Sequence, residues 1–359
     1  MEIAYSEAEL DAWIEQTILE DSQFPILIDK FLDEALEVDV DAISDTKDVV
    51  IAGIMEHIEY AGVHSGDSAS VYPSQTLSKE ILTQIREATD KLAKNLNVIG
   101  LMNIQFAVKD NELYILEVNP RASRSVPFIS KATGIPWAKL ASLIMAGKSI
   151  EELKVKEMLK DIPQNQVSVK EAVFSFNKFE GTPIFLGPEM KSTGEVMGVS
   201  DSFYMAFAKA QMGALLKLPQ SGKVFMSYSD KDKQYSLEVA KDLVKYGYEI
   251  VATSGTANYL EQMNIPIQRV YKINEARPTI ADLLKNREIV LIFNVPSGKV
   301  AFEDSQVITK IALSNNIPVI TTATATQIMV KALGALKNHS LEVKSLQEYL
   351  KLNLCEMKN

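Results

Sequence analysis

From Gly222 onward the sequence changes rhythm, and that change restricts the fold more than any other feature. Strand-like runs at Lys223–Ser227, Glu249–Ala252, Ile267–Val270, Ile289–Phe293 and Val319–Thr321 alternate with helical runs near 232–246, 256–263, 279–286, 303–315 and 324–336. Parallel strands cannot be joined by a tight turn, because each crossover must be long enough to hold a helix. The alternation therefore predicts a Rossmann-like parallel α/β unit with helices on both faces of its sheet.

The residues before it read differently. Ser6-Glu7-Ala8-Glu9 is a capping box that opens a helix to about Glu20. Strand-like runs follow at 26–31, 35–43 and 49–59, with Asp45-Thr46-Lys47-Asp48 as a turn. Residues 61–75 read as a loop and 78–96 as a helix. The runs 101–108 and 112–118 form a hairpin about Lys109-Asp110-Asn111. Through residue 130 the pattern is strand-rich and mostly antiparallel. Residues 134–165 read as helical, 167–176 as extended, and 181–218 as a connection with a helix from about Ser202. A chain of 359 residues suggests two or three domains.

Composition removes several classes of function. The net charge of −10 argues against nucleic-acid and anionic-membrane partners, both of which need a basic surface. No apolar stretch is long enough to span a bilayer, and Met1–Tyr5 show no signal-peptide pattern, so the cytoplasm is the expected location. The lone Cys355 excludes an intrachain disulfide, and with three scattered histidines no thiolate zinc site is expected.

Two groups of residues suggest chemistry. Glu117, Asn119 and Arg121 are spaced by two, so they share one face if the strand continues to Arg121. The hairpin places Gln105 opposite Glu117. Oxygen donors on one face suit hard Mg²⁺, and Arg suits phosphate. A solvated hairpin face explains the same pattern, but Pro120 stops the ladder where a site could open. The second group follows strand ends: Thr253-Ser254-Gly255-Thr256 opens a helix, Asn294 and Lys272 follow other strands, and Lys233 begins a helix. Hydroxyls and amides at a helix N-terminus, with lysines nearby, can hold an anion. Each of these residues can equally be a turn or a cap.

Leu116-Glu117-Val118-Asn119-Pro120-Arg121-Ala122-Ser123-Arg124 resembles the metal-binding segment of ATP-grasp synthetases. Met55-Glu56-His57-Ile58-Glu59-Tyr60-Ala61-Gly62-Val63-His64-Ser65-Gly66-Asp67-Ser68 is similar to carbamoyl phosphate synthetases. So are Lys131-Ala132-Thr133-Gly134, Phe176-Asn177-Lys178-Phe179 and the run from Gly187 to Gly198. Residues 216–359 resemble the methylglyoxal-synthase-like domain that regulates those enzymes. The resemblance implies a mixed α/β and α+β chain in three parts. Residues 1–146 would end an ATP-grasp domain, 147–215 would connect, and 216–359 would be the allosteric domain.

The implied activity is that of an ATP-dependent carbon–nitrogen ligase, phosphorylating carbamate to carbamoyl phosphate for pyrimidine and arginine synthesis. By the same resemblance Gln105, Glu117 and Asn119 hold Mg²⁺ or Mn²⁺. ATP lies on the backbone of Lys30 and Leu32, on Glu37, and on Gly62, Val63, His64 and Ser65, with Gln105 and Glu117 reaching it through the metal. Arg121 meets the transferred phosphate or carbamate. Glu59, Asp67 and Glu171 form an ornithine-type amine site. Lys233, Thr253, Thr256, Lys272 and Asn294 bind UMP or a related phosphorylated effector. Pro296 stands where the family often has Thr, which bears on effector identity. The Gly-Gly-Asp signature of methylglyoxal synthase is missing after Ser297-Gly298, so a lyase reading loses.

The resemblance further implies that a glycine-rich lid precedes Met1, that the rest of the large subunit and a glutaminase subunit are partners, and that the chain alone is inactive. A non-catalytic nucleotide-binding regulatory module is the competing reading. A biotin carboxylase-type enzyme shares the Glu-x-Asn-x-Arg pattern but leaves the His-Ser-Gly-Asp loop and the second unit unexplained.

Overall fold

The computed structural model describes residues 4, 6–20, 25–163, 165–175, 186–273, 275–296 and 299–350. Two sheets organise them. The first contains β1 (Leu36–Asp45), β2 (Val49–Tyr60), β3 (Ser70–Tyr72), β4 (Ile99–Lys109), β5 (Glu112–Asn119), β6 (Val167–Val173) and β7 (Gly194–Ser200). Its order is β5-β4-β1-β2-β3-β6-β7 and every pairing is antiparallel. The second contains β8 (Gly222–Tyr228), β9 (Tyr248–Thr253), β10 (Gln268–Val270), β11 (Ile289–Val295) and β12 (Val319–Ile320), all parallel, in the order β10-β9-β8-β11-β12.

With the first sheet go helices α1 (Glu7–Glu20), α2 (Lys79–Asn95), α3 (Ser125–Thr133), α4 (Trp137–Met145), α5 (Val155–Met158) and α6 (Phe203–Gly213). With the second go α7 (Lys233–Lys245), α8 (Ser254–Gln262), α9 (Ile280–Lys285), α10 (Lys299–Ser314) and α11 (Ala323–Asn338), while the short α12 (Leu346–Tyr349) returns to α6, where Tyr349 meets Lys209. The alternation read from the sequence is thus present strand for strand in the second sheet.

The first sheet differs from expectation in four places. Residues 26–31 are not a strand. They lie outside both sheets without regular structure, with Leu27 and Ile28 exposed, so apolar character there reflects no ladder. The 61–75 loop contains β3, which is only three residues long. The stretch before residue 130 is not all strand: α3 begins at Ser125, with Pro127 in its first turn, where a missing N–H costs nothing. Finally, residues 147–215 are more than a connection, because β6 and β7 extend the same sheet. The Phe176–Phe179 motif, Ser297-Gly298 and Cys355 lie outside the described residues.

β1 has a different neighbour on each face. Val38, Val40 and Ala42 pack with Ile81 and Ile85 of α2. On the opposite face, Ile43 and Met55 lie beneath α3 and α4, among Val126, Ile129 and Trp137. A further cluster joins the two sheets: Ile58, Val71 and Val169 pack with Phe207 of α6, and on to Val224, Phe293 and Val239. α6 and α11 lie between the sheets, and α11 also touches β2.

The contact of α6 with β7 requires glycine at 198. A Cβ there would lie 2.0 Å from the Ala206 carbonyl oxygen and 2.4 Å from the Ala210 nitrogen, both backbone atoms. Gly198→Ala should therefore destabilise by about 3 kcal/mol or more. Gly187→Ala, where a Cβ meets nothing within 4 Å, should stay within about 0.5 kcal/mol of wild type. Parallel urea unfolding of the two variants checks both expectations.

Candidate functional site

The β4–β5 hairpin turns on two residues. Asp110 and Asn111 both have positive φ, 51° and 62°, the backbone of a tight primed turn whose twist matches the strands. Next to the turn, Lys109 pairs with Glu112 and Phe106 with Ile115. A bulge then shifts the register, and beyond it Gln105 pairs with Glu117 and Asn103 with Asn119. The expected Gln105–Glu117 pair is thus present, but through a two-residue turn plus a bulge at Leu116. Without the bulge, Glu117 would drop to the other face.

Across the next ladder Asp39 pairs with Gln105 and Asp41 with Asn103. Glu37, Asp39, Asp41, Asn103, Gln105, Glu117 and Asn119 therefore share one face of three adjacent strands. Of the β1 acids, sequence reasoning singled out Glu37 alone. The signal for the others is the period-two run Glu37-Val38-Asp39-Val40-Asp41. His57 and Lys170 were also missed as members of this face. His57 Nε2 lies 3.2 Å from Asp39 Oδ2, and its Nδ1 lies 3.9 Å from Glu37 Oε2.

Electrostatics follow from burial. Burial pushes the Glu37 carboxyl up to about 7, with the His57 charge pulling the other way. Burial acts likewise on Asp39, but the imidazolium of His57, helped by Lys170 and Gln105, outweighs it and holds that carboxyl below its ordinary range. The same pair raises His57 against its own desolvation. Asp41 is pushed up to about 6 by burial, opposed by hydrogen bonds from Ser125, Ser123 and Asn103.

The loop 62–67 lies over this face. Gly62 takes φ +108°, a backbone other residues avoid, and a Cβ there would meet the Phe31 ring at 3.3 Å. The segment carrying Lys30 and Leu32 is thereby set beside Gly62 and Val63. Gln105 Nε2 donates to Ser65 Oγ at 2.9 Å, and Lys170 Nζ donates to the Ser65 carbonyl at 2.9 Å. His64 is engaged inside the loop: its Nδ1 accepts from the Gly66 amide, and its own amide donates to Gly187 O.

Arg121 is not on the strand face. β5 ends at Asn119, since Pro120 has no N–H to donate, and Arg121 folds back so that its guanidinium donates to Asn119 Oδ1 at 3.1 Å. Among the described residues, no three His, Cys, Asp or Glu side chains converge on a metal-sized point. The donors here are instead one carboxylate, Glu117, and the amide oxygens of Gln105 and Asn119. Hydrogen bonding of the Gln105 nitrogen to Ser65 leaves its oxygen as the ligating end. This oxygen set fits a hard divalent cation that keeps ligand phosphates in its remaining positions.

Glu59 and Glu171 are brought together, and Asp67 is put to other work. Burial raises both glutamates, and the Glu59 charge pushes Glu171 higher still. Glu59 accepts from the Ala69 amide, and Gln211 Nε2 donates to Glu171 at 2.6 Å. Asp67 takes the amides of Lys191 and Ser192, one on each oxygen at 2.8 Å, and so pins that turn.

In the second sheet the strand order reverses between β8 and β11, the kind of switch point at whose carboxyl ends open α/β sheets bind ligands. Thr253 caps α8 in extended conformation with no side-chain bond to the helix. Lys233 Nζ lies 3.5 Å from where a Gly255 Cβ would be, so this cation reaches the α8 N-terminus. Two expected contacts are drawn inward. Thr256 Oγ1 accepts from the Tyr228 amide at 3.0 Å, and Asn294 Nδ2 donates to Ser305 Oγ; both residues are buried. Lys272 is exposed, with its amide donating to Glu275.

Comparison with known proteins bears on what these sites belong to. Residues 1–153 match the family described as carbamoyl-phosphate synthase L chain, ATP binding domain, and residues 236–321 match the MGS-like domain. The carbamoyl phosphate synthase large chain of Nostoc sp. is 50% identical over 355 residues, covering 97% of this chain and 32% of that protein. The chain is a homologue of carbamoyl phosphate synthase large chains. A protein of Methanocaldococcus jannaschii named as the C-terminal section of that large chain is 48% identical over 356 residues, covering 97% of this chain and 58% of that one. The arginine-specific chloroplastic large chain of Arabidopsis thaliana is 46% identical, covering 98% and 30%. The chain spans about a third of the length of most of these curated relatives.

The buried acids make stability depend on pH. Glu37 has an ordinary value of 4.5 and about 7 in the fold. Its contribution to stability is therefore complete below about pH 4.5 and is lost as pH rises through 7, where the fold must carry a charge the unfolded chain carries more easily. Glu37→Gln should accordingly be more stable than wild type at pH 8, by at most about 3 kcal/mol, with the advantage vanishing at pH 4. Urea unfolding at both pH values checks the difference.

Proposed function

We propose that the chain is the C-terminal part of a carbamoyl phosphate synthase large subunit and, within that whole subunit, serves the ATP-dependent phosphorylation of carbamate. Residues 1–146 complete an ATP-grasp site, 147–215 link it to the rest of the synthetic unit, and 216–359 regulate it. The observation that carries the reading is the register of β1, β4 and β5, which sets Glu37, Gln105, Glu117 and Asn119 on one face beneath loop 62–65. Glu37 meets the ribose hydroxyls, and the backbone of Lys30 and Leu32 meets adenine. Gln105, Glu117 and Asn119 would hold Mg²⁺ or Mn²⁺, which when bound neutralises charge on the transferring phosphoryl group. Arg121 then exchanges its bond to Asn119 for a phosphate or carbamate oxygen. The remainder of the large subunit and a glutaminase subunit are the partners.

In the full-length protein, Glu117→Gln should reduce magnesium-dependent ATP formation from carbamoyl phosphate and ADP on the order of 10- to 100-fold, and should shift the magnesium optimum. Unchanged kinetics would return the hairpin to a solvated surface.

Two regulatory sites complete the proposal. The paired glutamates Glu59 and Glu171, with Asp67 fixing the adjacent turn, suit an amine of the ornithine type. The α8 N-terminus, with Thr253, Lys233 and Lys272, suits the phosphate of UMP or a related effector; Thr256 and Asn294 shape the pocket from below. Lys233 has the stronger geometric claim, because its ammonium already reaches Gly255. A charge-assisted bond is worth roughly 1.5–3 kcal/mol, so Lys233→Ala should weaken UMP binding on the order of 10- to 100-fold, and added salt should narrow the gap. Calorimetry with UMP, and with IMP in parallel because of Pro296, tests this assignment. Equal affinities for wild type and variant would sink it.

A further inference from the structure

Asp41 lies in the second paired position beyond the bulge, buried and out of reach of any ligand on the open face. Its carboxylate nevertheless gathers three donors from two other segments. Asn103 Nδ2 from β4 donates to Oδ1 at 3.0 Å, Ser123 Oγ donates to Oδ1 at 2.7 Å, and Ser125 Oγ donates to Oδ2 at 2.6 Å. The two hydroxyls are also 2.8 Å apart. Asn103 is the ladder partner of Asn119, while Ser123 and Ser125 follow directly on Pro120 and Arg121. One buried anion thus holds the strand opposite Asn119 and the start of α3, with the Asn119–Arg121 turn strung between them.

Within the turn the Arg121 amide donates to the Asn119 carbonyl and its guanidinium to Asn119 Oδ1 and the Ala122 carbonyl, but these bonds tie the turn only to itself. Pro120 ends the ladder, α3 has no side-chain cap at Arg124, and Arg121 and Arg124 are exposed. A metal ligand and a phosphate-facing cation on such a turn would wander unless something fixed both of its ends. Preorganisation within about half an ångström is what supporting groups of this kind supply. We propose that Asp41 is the positioning residue for this turn: through Asn103, Ser123 and Ser125 it sets the place of Asn119 and Arg121, without touching nucleotide or metal. The proposal rests on the assignment of Asn119 and Glu117 to the metal.

A second buried carboxylate supplies the control. Glu56, on the opposite face of β2, accepts from the amides of Gln75 and Thr76 and from the Thr76 hydroxyl, and so anchors a turn remote from the site. Asp41→Asn and Glu56→Gln should each lower the melting temperature. Titration of Mn²⁺ with ATP on the full-length protein, followed by electron paramagnetic resonance, then separates them. Asp41→Asn should weaken Mn²⁺ on the order of 10-fold and Glu56→Gln should leave it unchanged. Ser123→Ala removes a single anchor and should weaken Mn²⁺ a few-fold; it decides the question if Asp41→Asn does not fold. The inference is overturned if Asp41→Asn, or Ser123→Ala in its place, binds Mn²⁺ as well as Glu56→Gln does. Glu117→Gln in the same titration tells the two failures apart. Indifference there removes the metal assignment and this inference together, whereas a Glu117 effect without an Asp41 effect removes only the inference.

Discussion

β1 has sheet neighbours on both edges and packed elements over both faces, and its alternation of apolar and acidic residues is the constraint on which the site depends. Val38, Val40 and Ala42 must face α2 because the core there is otherwise aliphatic. A strand has period two, so Glu37, Asp39 and Asp41 are then committed to the other face. Burying three carboxylates side by side is costly unless each finds a counterpart. Each does so differently. Asp41 takes three neutral donors, Asp39 takes the His57 charge, and Glu37 shifts toward its neutral form. The surroundings therefore give three chemically similar residues three protonation behaviours within five positions.

That face stays polar only along part of its length. Toward Ile43 it becomes apolar and is roofed by α3 and α4. The transition falls at Asp41, whose serine partners belong to the turn that opens α3. The open half is completed from the other direction by loop 62–67, held down by Gln105 and Lys170. Lys170 is nearly buried, and its charge acts on Glu37 and Asp39 of β1 and also on Glu59 and Glu171. Lys170 and the His57 imidazolium are shared among these carboxylates, and the buried glutamates answer by shifting toward their neutral forms. A cation brought to such a face would draw those glutamates back toward their charged forms.

Much of the fold could be read from residue patterns, and the exceptions have physical causes. Long periodic runs such as β8 and α7 announce themselves because each is bounded by turn chemistry and repeats its period several times. β3 is too short to show a period, and β7, Gly194–Ser200, carries two glycines where apolar side chains would mark a strand. Gly198 exists for α6, a tertiary reason that local sequence does not display. The Gln105–Glu117 pair was legible although the turn was not, because an extra residue in the turn and a bulge at Leu116 have the same effect on register. Asp39, Asp41 and Lys170 were overlooked because each looks ordinary alone; only the ladder between β1 and β4 brings the two acids to Gln105 and Asn103, and only Ser65 links Lys170 to Gln105.

The link between the two sheets follows from where the chain turns. The cluster running from Ile58 and Val71 through Phe207 to Val224 and Phe293 leaves no solvent layer between them at α6. At the surface, Lys231, two residues before Lys233, pairs with Asp33 at 3.4 Å and with Glu34 at 3.7 Å, and these acids lead directly into Glu37. Exposed pairs of this kind contribute little to stability, about 0–1 kcal/mol. Their importance is positional. The loop that begins α7, just before Lys233, rests on the segment that leads into Glu37. Any shift of that loop must be accommodated either by the shared apolar core, which is close-packed and yields poorly, or by the exposed 25–34 segment, which is held by a few polar contacts. The second route is the softer one, so a displacement at the start of α7 is taken up along the chain surface, by the segment that leads into Glu37, rather than through the packed centre.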